Sequence, residues 1–354
     1  MQSYHQKALK LLADLIRIPS FSKQEEKTAE VIYDFLNSSG VGNIHRKKNN
    51  VWVCNERFIE GKPTILINSH HDTVRPNSGY TNNPYEPIIE DGKLYGLGSN
   101  DAGGSLVALI ATFQYFYRKD LPFNLVLAAT AEEENSGRDG IEMILEDMGH
   151  LDYGIIGEPT EMAMAVAEKG LMVLDCYTEG QAGHAARDIG KNAIYEALDI
   201  IKTIKNFKFK KESDLLGPVK LSVTQISAGS QHNVIPDRCH FVIDVRTTDA
   251  YTNNDVLEII RNHFDIEINP RSTRLNPSFM SDESPIIQAA NNLGIKKFGS
   301  PTTSDQAVIP IPTVKMGPGK SERSHTPNEF IFVNEISSGI DRYIGLLEQI
   351  GTFI

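Results

Sequence analysis

Side chains able to bind a divalent cation or move a proton recur at the ends of apolar runs. Pro63-Thr64-Ile65-Leu66-Ile67 reads as a buried strand and leads into Asn68-Ser69-His70-His71-Asp72. His70 and Asp72 are two apart, so on extended chain they point the same way. A carboxylate beside an imidazole accepts its second N–H and leaves the other nitrogen free for a metal. Phe123 to Thr130 is another apolar run, ending in Ala131-Glu132-Glu133-Glu134. Tyr153-Gly154-Ile155-Ile156-Gly157 ends in Glu158-Pro159-Thr160. Between them, the glycine-rich loop 94–104 carries Asp101 just before an apolar helix. Alone, three adjacent glutamates are a solvated charge run and Asp101 a helix cap. Together, four strand ends or nearby loops carrying such groups point to one shared site, and open α/β sheets place their sites at the carboxyl ends of strands.

Imidazole with several carboxylates suits a divalent ion, zinc being the common choice. The set is large enough for two ions sharing a bridging carboxylate. Two such ions activate a water at neutral pH and polarise a carbonyl. A spare carboxylate then acts as general base and passes the proton to a leaving amine. Competing chemistries are poorly supported. No G-x-S-x-G occurs, no cysteine has a catalytic context, and the glycine loop completes no phosphate-cradling pattern.

The elements that must position these groups alternate along 354 residues, which predicts two domains. Residues 4–17 and 24–39 are expected helices, with Ser22 placed to cap the second. Strands are expected at 47–54, 63–70, 123–130 and 153–157, and a helix at 140–149. From about residue 168 the order becomes strand–helix–strand–strand–helix–strand, an α+β insert of ferredoxin-like pattern ending near 275. Strand and helix alternation then resumes, with the final helix expected to open at Ser324-His325-Thr326-Pro327-Asn328-Glu329. The expected division is a discontinuous catalytic domain, 1–167 and 276–354, around an inserted domain, 168–275.

The formal net charge is −11, from 35 basic and 46 acidic residues, which disfavours nucleic acid or an anionic membrane as partner. Cys54, Cys176 and Cys239 form no framework for disulfides. The first residues lack the apolar core of a secretory signal, and no apolar run approaches a membrane span. A cytoplasmic protein is the expectation.

These motifs, in this order, resemble those of the M20 metallohydrolases, the group containing acetylornithine deacetylases, succinyl-diaminopimelate desuccinylases and aminoacylases. The resemblance runs through the whole chain and implies a zinc-exopeptidase-like α/β/α domain with a mixed, mainly parallel sheet, plus an inserted α+β lid and dimerisation domain. It implies His70, Asp101, Glu134, Glu158 and His325 as ligands to two divalent ions, zinc first and cobalt as the alternative. Asp101 would bridge, Asp72 would orient His70, and Glu133 would be the general base, with a cis peptide often following that Asp. Glu132 leaves open a register slipped by one. In the insert, Gly183-His184-Ala185 is similar to a lid motif whose histidine reaches a partner subunit's site and stabilises the oxyanion. Asn233, Arg246 and Gly319 are implied to hold substrate, Arg246 through its carboxylate. The implied activity is hydrolysis of an N-acyl amino acid in a cytoplasmic homodimer, with N2-acetyl-L-ornithine of arginine biosynthesis as the expected substrate. A succinylated substrate would need an added cation, for which Lys169, Arg187, Arg238 and Arg323 are available. A di- or tripeptidase is the other hydrolytic reading, and a binding protein without activity would need a broken ligand set.

Overall fold

The computed structural model describes residues 1–187 and 189–354. The chain divides into two compact units, one of Met1–Val166, Phe279–Phe298 and Ser304–Ile354, the other of Ala167–Ser278 and Gly299–Thr303. The short return of 299–303 to the second unit has no counterpart in the expected division.

The first unit is built on a mixed sheet. Its strands run in the order His45–Lys47, Asn50–Cys54, Asn124–Thr130, Thr64–His70, Tyr153–Ile156, Thr313–Lys315 and Met164–Glu168. Thr64–His70 is parallel to both its neighbours, and Thr313–Lys315 is parallel to Tyr153–Ile156. Every residue of Thr64–His70 and of Asn124–Thr130 is buried. That accounts for their near-continuous apolar sequence, since a parallel sheet is covered on both faces. Alternation assigns the faces. Ile65, Ile67, Leu125 and Leu127 join a core with Leu12, Phe113 and Ile340 from the helices Gln2–Ile16, Gly104–Phe116 and Val333–Ile350. Leu66, Val126 and Ala128 face the other way, onto Trp52, Ile141 and Ile144. Each fully buried Leu or Ile stabilises this packing by about 1.5–3 kcal/mol. The parallel strands therefore end together, and the loops after them share one edge.

Three local expectations change. Residues 140–149 form two short 3-10 turns, Ile141–Ile144 and Glu146–Met148, rather than one helix. The last helix is Val333–Ile350, preceded by a strand Phe330–Phe332 that pairs with Lys93–Tyr95. The second helix, Glu26–Ser38, starts after Glu25, and Ser22 does not cap it. Among the described residues, no helix is long and apolar enough to cross a membrane.

The second unit is a four-stranded antiparallel sheet with two helices. Its strands are ordered Lys220–Ala228, Arg238–Thr247, Gly170–Glu179 and Glu267–Leu275, with helices Ala193–Asn206 and Asn253–His263. Numbered along the chain, the spatial order is 2-3-1-4, the ferredoxin-like arrangement expected from the element order. Met172, Leu174, Cys176, Phe241 and Ile243 point into a core with Ala197, Val256 and Ile260 from the helices. Asp175 sits on the other face, where its carboxylate takes Arg271 through two hydrogen bonds and His240 through one.

Candidate metal centre

The shared edge of the parallel strands brings six of the expected residues together. His70 Nε2 lies 3.5 Å from Asp101 Oδ1, 3.8 Å from Glu158 Oε1 and 3.9 Å from Glu133 Oε2. His325 Nε2 lies 3.0 Å from Glu134 Oε2 and 3.5 Å from Asp101 Oδ2. Two sets of ligand atoms result, His70–Asp101–Glu158 and Asp101–Glu134–His325, with the atoms of each set within 4.8 Å of one another. Asp101 belongs to both sets, offering one oxygen to each. His70 and Glu158 are buried and Asp101 nearly so, while the His325 side chain is about half exposed.

These side chains fit a pair of cations. His70 is 1% exposed, and its Nε2 has no hydrogen-bond partner among the described residues. Its Nδ1 stands 3.0 Å from the main-chain oxygen of Asp72. A carbonyl oxygen only accepts, so Nδ1 carries the proton and the Nε2 lone pair faces the three carboxylates. A cation among them would satisfy nitrogen and oxygens together. Without it, charge is balanced by protons. Burial pushes Glu133 well above the ordinary carboxylate range and Glu158 up to about 8. Its bond to Glu134 pushes His325 up to about 9. Burial opposes a charged His70, but Asp101, Asp72, Glu133 and Glu158 together raise it well above its usual value.

Each group is held by specific neighbours. The Asp72 carboxylate accepts the Ser22 hydroxyl at 2.7 Å and the backbone N–H groups of Glu133 and Glu134 at 3.1 and 3.2 Å. Asp72 was expected to orient His70 through its carboxylate. Its main-chain oxygen does so more closely, with carboxylate Oδ1 at 3.3 Å, and the carboxylate chiefly anchors the glutamate turn. That anchoring settles the glutamate geometry. Glu133 and Glu134 enter the cluster, whereas Glu132, at φ 58°, has its N–H on Glu25 and is influenced by Asp139, Lys23 and Glu25. Gly157 precedes Glu158 because a Cβ there would stand 2.7 Å from Leu109 and 3.0 Å from Ser69. The Asp101–Ala102 peptide is cis. His71 stays out of the cluster: Thr28 and the Asn49 carbonyl take its two ring nitrogens, and burial lowers it to about 4.

Three contributors carried too little sequence signal to be assigned. Ser22 read as a helix cap. Glu329 is buried and accepts N–H groups from Gly98, Asn100 and Asp101. Asp305 accepts from Asn68 at 2.8 Å and Thr130 at 3.1 Å, tying together the ends of the strands that lead to His70 and Glu133. Burial raises it to about 6.

The remaining expected residues divide between the units. Gly319, in the first, has φ 92°, and a Cβ there would meet Asn100 Oδ1 at 2.5 Å. His184 and Asn233, in the second, are neighbours. Gly183–His184 pairs with Val234–Ile235, and the Asn233 carbonyl accepts the Ala185 N–H. His184 is exposed and its Nδ1 accepts the Ala186 N–H, so the ring proton lies on Nε2. Arg246 lies on the four-stranded sheet with its guanidinium on Asp244, two residues earlier on the same face, at 2.8 and 3.1 Å. The expected substrate-facing arginine is thus engaged by a carboxylate of its own strand.

Comparison with known proteins agrees with this geometry. Residues 66–349 match the model of peptidase family M20/M25/M40. A [LysW]-lysine/[LysW]-ornithine hydrolase of Saccharolobus solfataricus is 28% identical, over 98% of this chain and 96% of that protein. A succinyl-diaminopimelate desuccinylase of Wolbachia pipientis wMel is 25% identical, over 93% and 89%. Neither carries the acetylornithine deacetylase name. In fold, the chain is similar to a dinuclear metal-binding M20 peptidase of Bacillus subtilis, with TM-score 0.76, 19% identity and 100% of both chains covered. It is also similar to a tripeptidase of Staphylococcus aureus, with TM-score 0.77, 20% identity and 98% and 99% covered. The chain therefore belongs to peptidase family M20/M25/M40 and is a metal-dependent hydrolase of amide bonds in amino-acid derivatives.

Proposed function

We propose that this protein removes the acyl group from the α-nitrogen of an amino acid bearing a second amino group, with N2-acetyl-L-ornithine as the leading substrate. One observation carries the hydrolytic part: Glu133 stands beside two ligand sets that share Asp101, yet belongs to neither. In this reading His70, Asp101 and Glu158 hold one divalent ion and Asp101, Glu134 and His325 the other, zinc first and cobalt as the alternative. Such ions supply an activated water and a polarised carbonyl when bound. Glu133 takes the proton of the attacking water and delivers it to the leaving nitrogen.

The substrate assignment draws on the relatives, whose names specify lysine, ornithine and diaminopimelate. The acetyl group is favoured over succinyl by the state of two candidate cations. Arg323 is taken up by Glu335 and Arg238 by Glu267. Lys169 and Arg187 keep succinyl-ornithine and succinyl-diaminopimelate as the second reading, supported by the desuccinylase relative. His184 acts in this scheme as the oxyanion donor through Nε2, supplied across a homodimer. The edge strand Lys220–Ala228, paired on one side only among the described residues and with Ile226 exposed, and exposed Tyr195 and Leu198 on the helix Ala193–Asn206 support such pairing. The test is a panel of acetyl-ornithine, succinyl-ornithine and unblocked dipeptides, with zinc or cobalt supplied. Preferential release of ornithine from the acetyl amide is expected. Preference for the succinyl amide overturns the acyl assignment, and preference for free dipeptides overturns the deacylase reading.

A further inference from the structure

We propose that Glu329 is a positioning residue that sets the cation affinity of the centre by fixing the backbone that carries Asp101; this rests on the two-cation reading above. Glu329 is 1% exposed. Its Oε1 accepts the N–H groups of Asn100 at 2.8 Å and Asp101 at 2.9 Å, and its Oε2 accepts that of Gly98 at 3.1 Å. Its own carbonyl accepts the Gly96 N–H at 3.0 Å. One residue thus takes four donors from six consecutive positions. Gly96 and Gly98 in this run have no side chains and both adopt positive φ, while the remaining N–H groups bond elsewhere, Leu97 to the Pro84 carbonyl and Ser99 to that of Gly96. The side chain of Asn100 is fixed from the same direction, exchanging hydrogen bonds with the backbone of Lys320. Glu329 follows His325 by four residues, so a single segment places the shared carboxylate and the imidazole of the second set.

The chemistry of the side chain fits cations better than it fits packing. Among the described residues Glu329 forms no ion pair with lysine or arginine, and it sits against the backbone of another carboxylate, Asp101. Burial and the neighbouring Asp101 oppose its ionised form. A divalent ion held by Asp101 would favour that form, and the charge would in turn lower the energy of the ion. Partners of this kind behind a metal ligand fix its orientation and raise its affinity.

Glu329→Gln separates these roles. The amide oxygen keeps the bonds from Asn100 and Asp101, but its NH2 group meets the Gly98 N–H donor to donor, and the charge is gone. Metal-stripped wild-type and variant proteins are titrated with Zn2+ or Co2+ by calorimetry, with circular dichroism as the check on folding. We expect native-like dichroism and a cation affinity lowered roughly 10–100-fold, the scale for losing such a partner. Where the glutamine variant does not fold, Glu329→Asp keeps the charge while withdrawing it by one methylene, and is expected to fold and bind more weakly. Wild-type affinity in a folded variant overturns the proposal. So does failure of both variants to fold, which would make Glu329 a folding residue. Failure of the wild-type protein itself to bind cations would instead count against the function proposed above.

Discussion

The metal centre of the first unit and the His184 hairpin of the second are built by opposite means. At the centre, most side chains are largely shielded from solvent, His325 being the half-exposed exception, and each is held by others. Asp72 ties Ser22 to the glutamate turn, and Glu329 ties down the loop of Asp101. In the hairpin, His184 and Asn233 are exposed and are placed by main-chain pairing and by one local bond from the Ala186 N–H to the His184 ring. The first arrangement is complete within one chain. The second presents an imidazole outward. Burial is what makes a site over-determined, because a buried polar group must find partners and those partners fix its position.

The comparison can be broken by mutation. The largest effect is expected at the centre. Glu133→Gln should lower turnover by roughly 10²–10⁴-fold, the range for losing a general acid–base, while metal analysis finds the cations still bound. Retained turnover would remove Glu133 from its role. His184→Ala should cost roughly 10²–10³-fold in kcat, the scale of a lost oxyanion donor, with cation content unchanged. Mixing this variant with Glu133→Gln should recover activity if His184 serves a partner's site; no recovery would place its action within one chain. Asp72→Asn should weaken cation binding roughly 10–100-fold, because an amide cannot accept from Ser22, Glu133 and Glu134 as a carboxylate does. Calorimetric titration measures this, and unchanged affinity would contradict the anchoring role.

The smallest effect belongs to the second unit. Arg271 and then His240 hold Asp175 down at about 2. Its contribution is therefore present above the ordinary value near 3.8 and is lost as pH falls through about 2. The pair is partly open to solvent, so Asp175→Asn should cost under about 1 kcal/mol at pH 7. Denaturant melts at pH 7 and pH 2 should show that difference shrinking; a larger loss would give the ion cluster a structural weight that the comparison denies it.

How legible each region was follows from the same contrast. Ligands at the ends of apolar strands announce themselves, because strand and acid adjoin in sequence. His70, Glu133, Glu134 and Glu158 are of this kind, and the glycine loop marked Asp101. The residues behind them do not adjoin. Ser22 is fifty positions from Asp72, and Glu329 is more than two hundred from the backbone it holds. Nothing local distinguishes a carboxylate that will be buried from one that will be solvated. The same limit affected the fold. Residues 140–149 have helical apolar spacing, yet settle into two 3-10 turns under the core of Trp52 and Val126. Phe330–Phe332 read as the start of a helix because its pairing partner, Lys93–Tyr95, lies far away in the chain. Arg246 was legible as a residue type, but its engagement with Asp244 was not.

The most direct test is the number of cations bound when the shared ligand is altered. Metal-stripped wild-type protein titrated with Co2+ should take up two equivalents per chain. Asp101→Ala should weaken both, whereas Glu158→Gln should weaken one and leave the other near its original affinity. A wild-type protein that binds no cation, or an Asp101 variant that keeps two at full affinity, would contradict a centre built around one carboxylate.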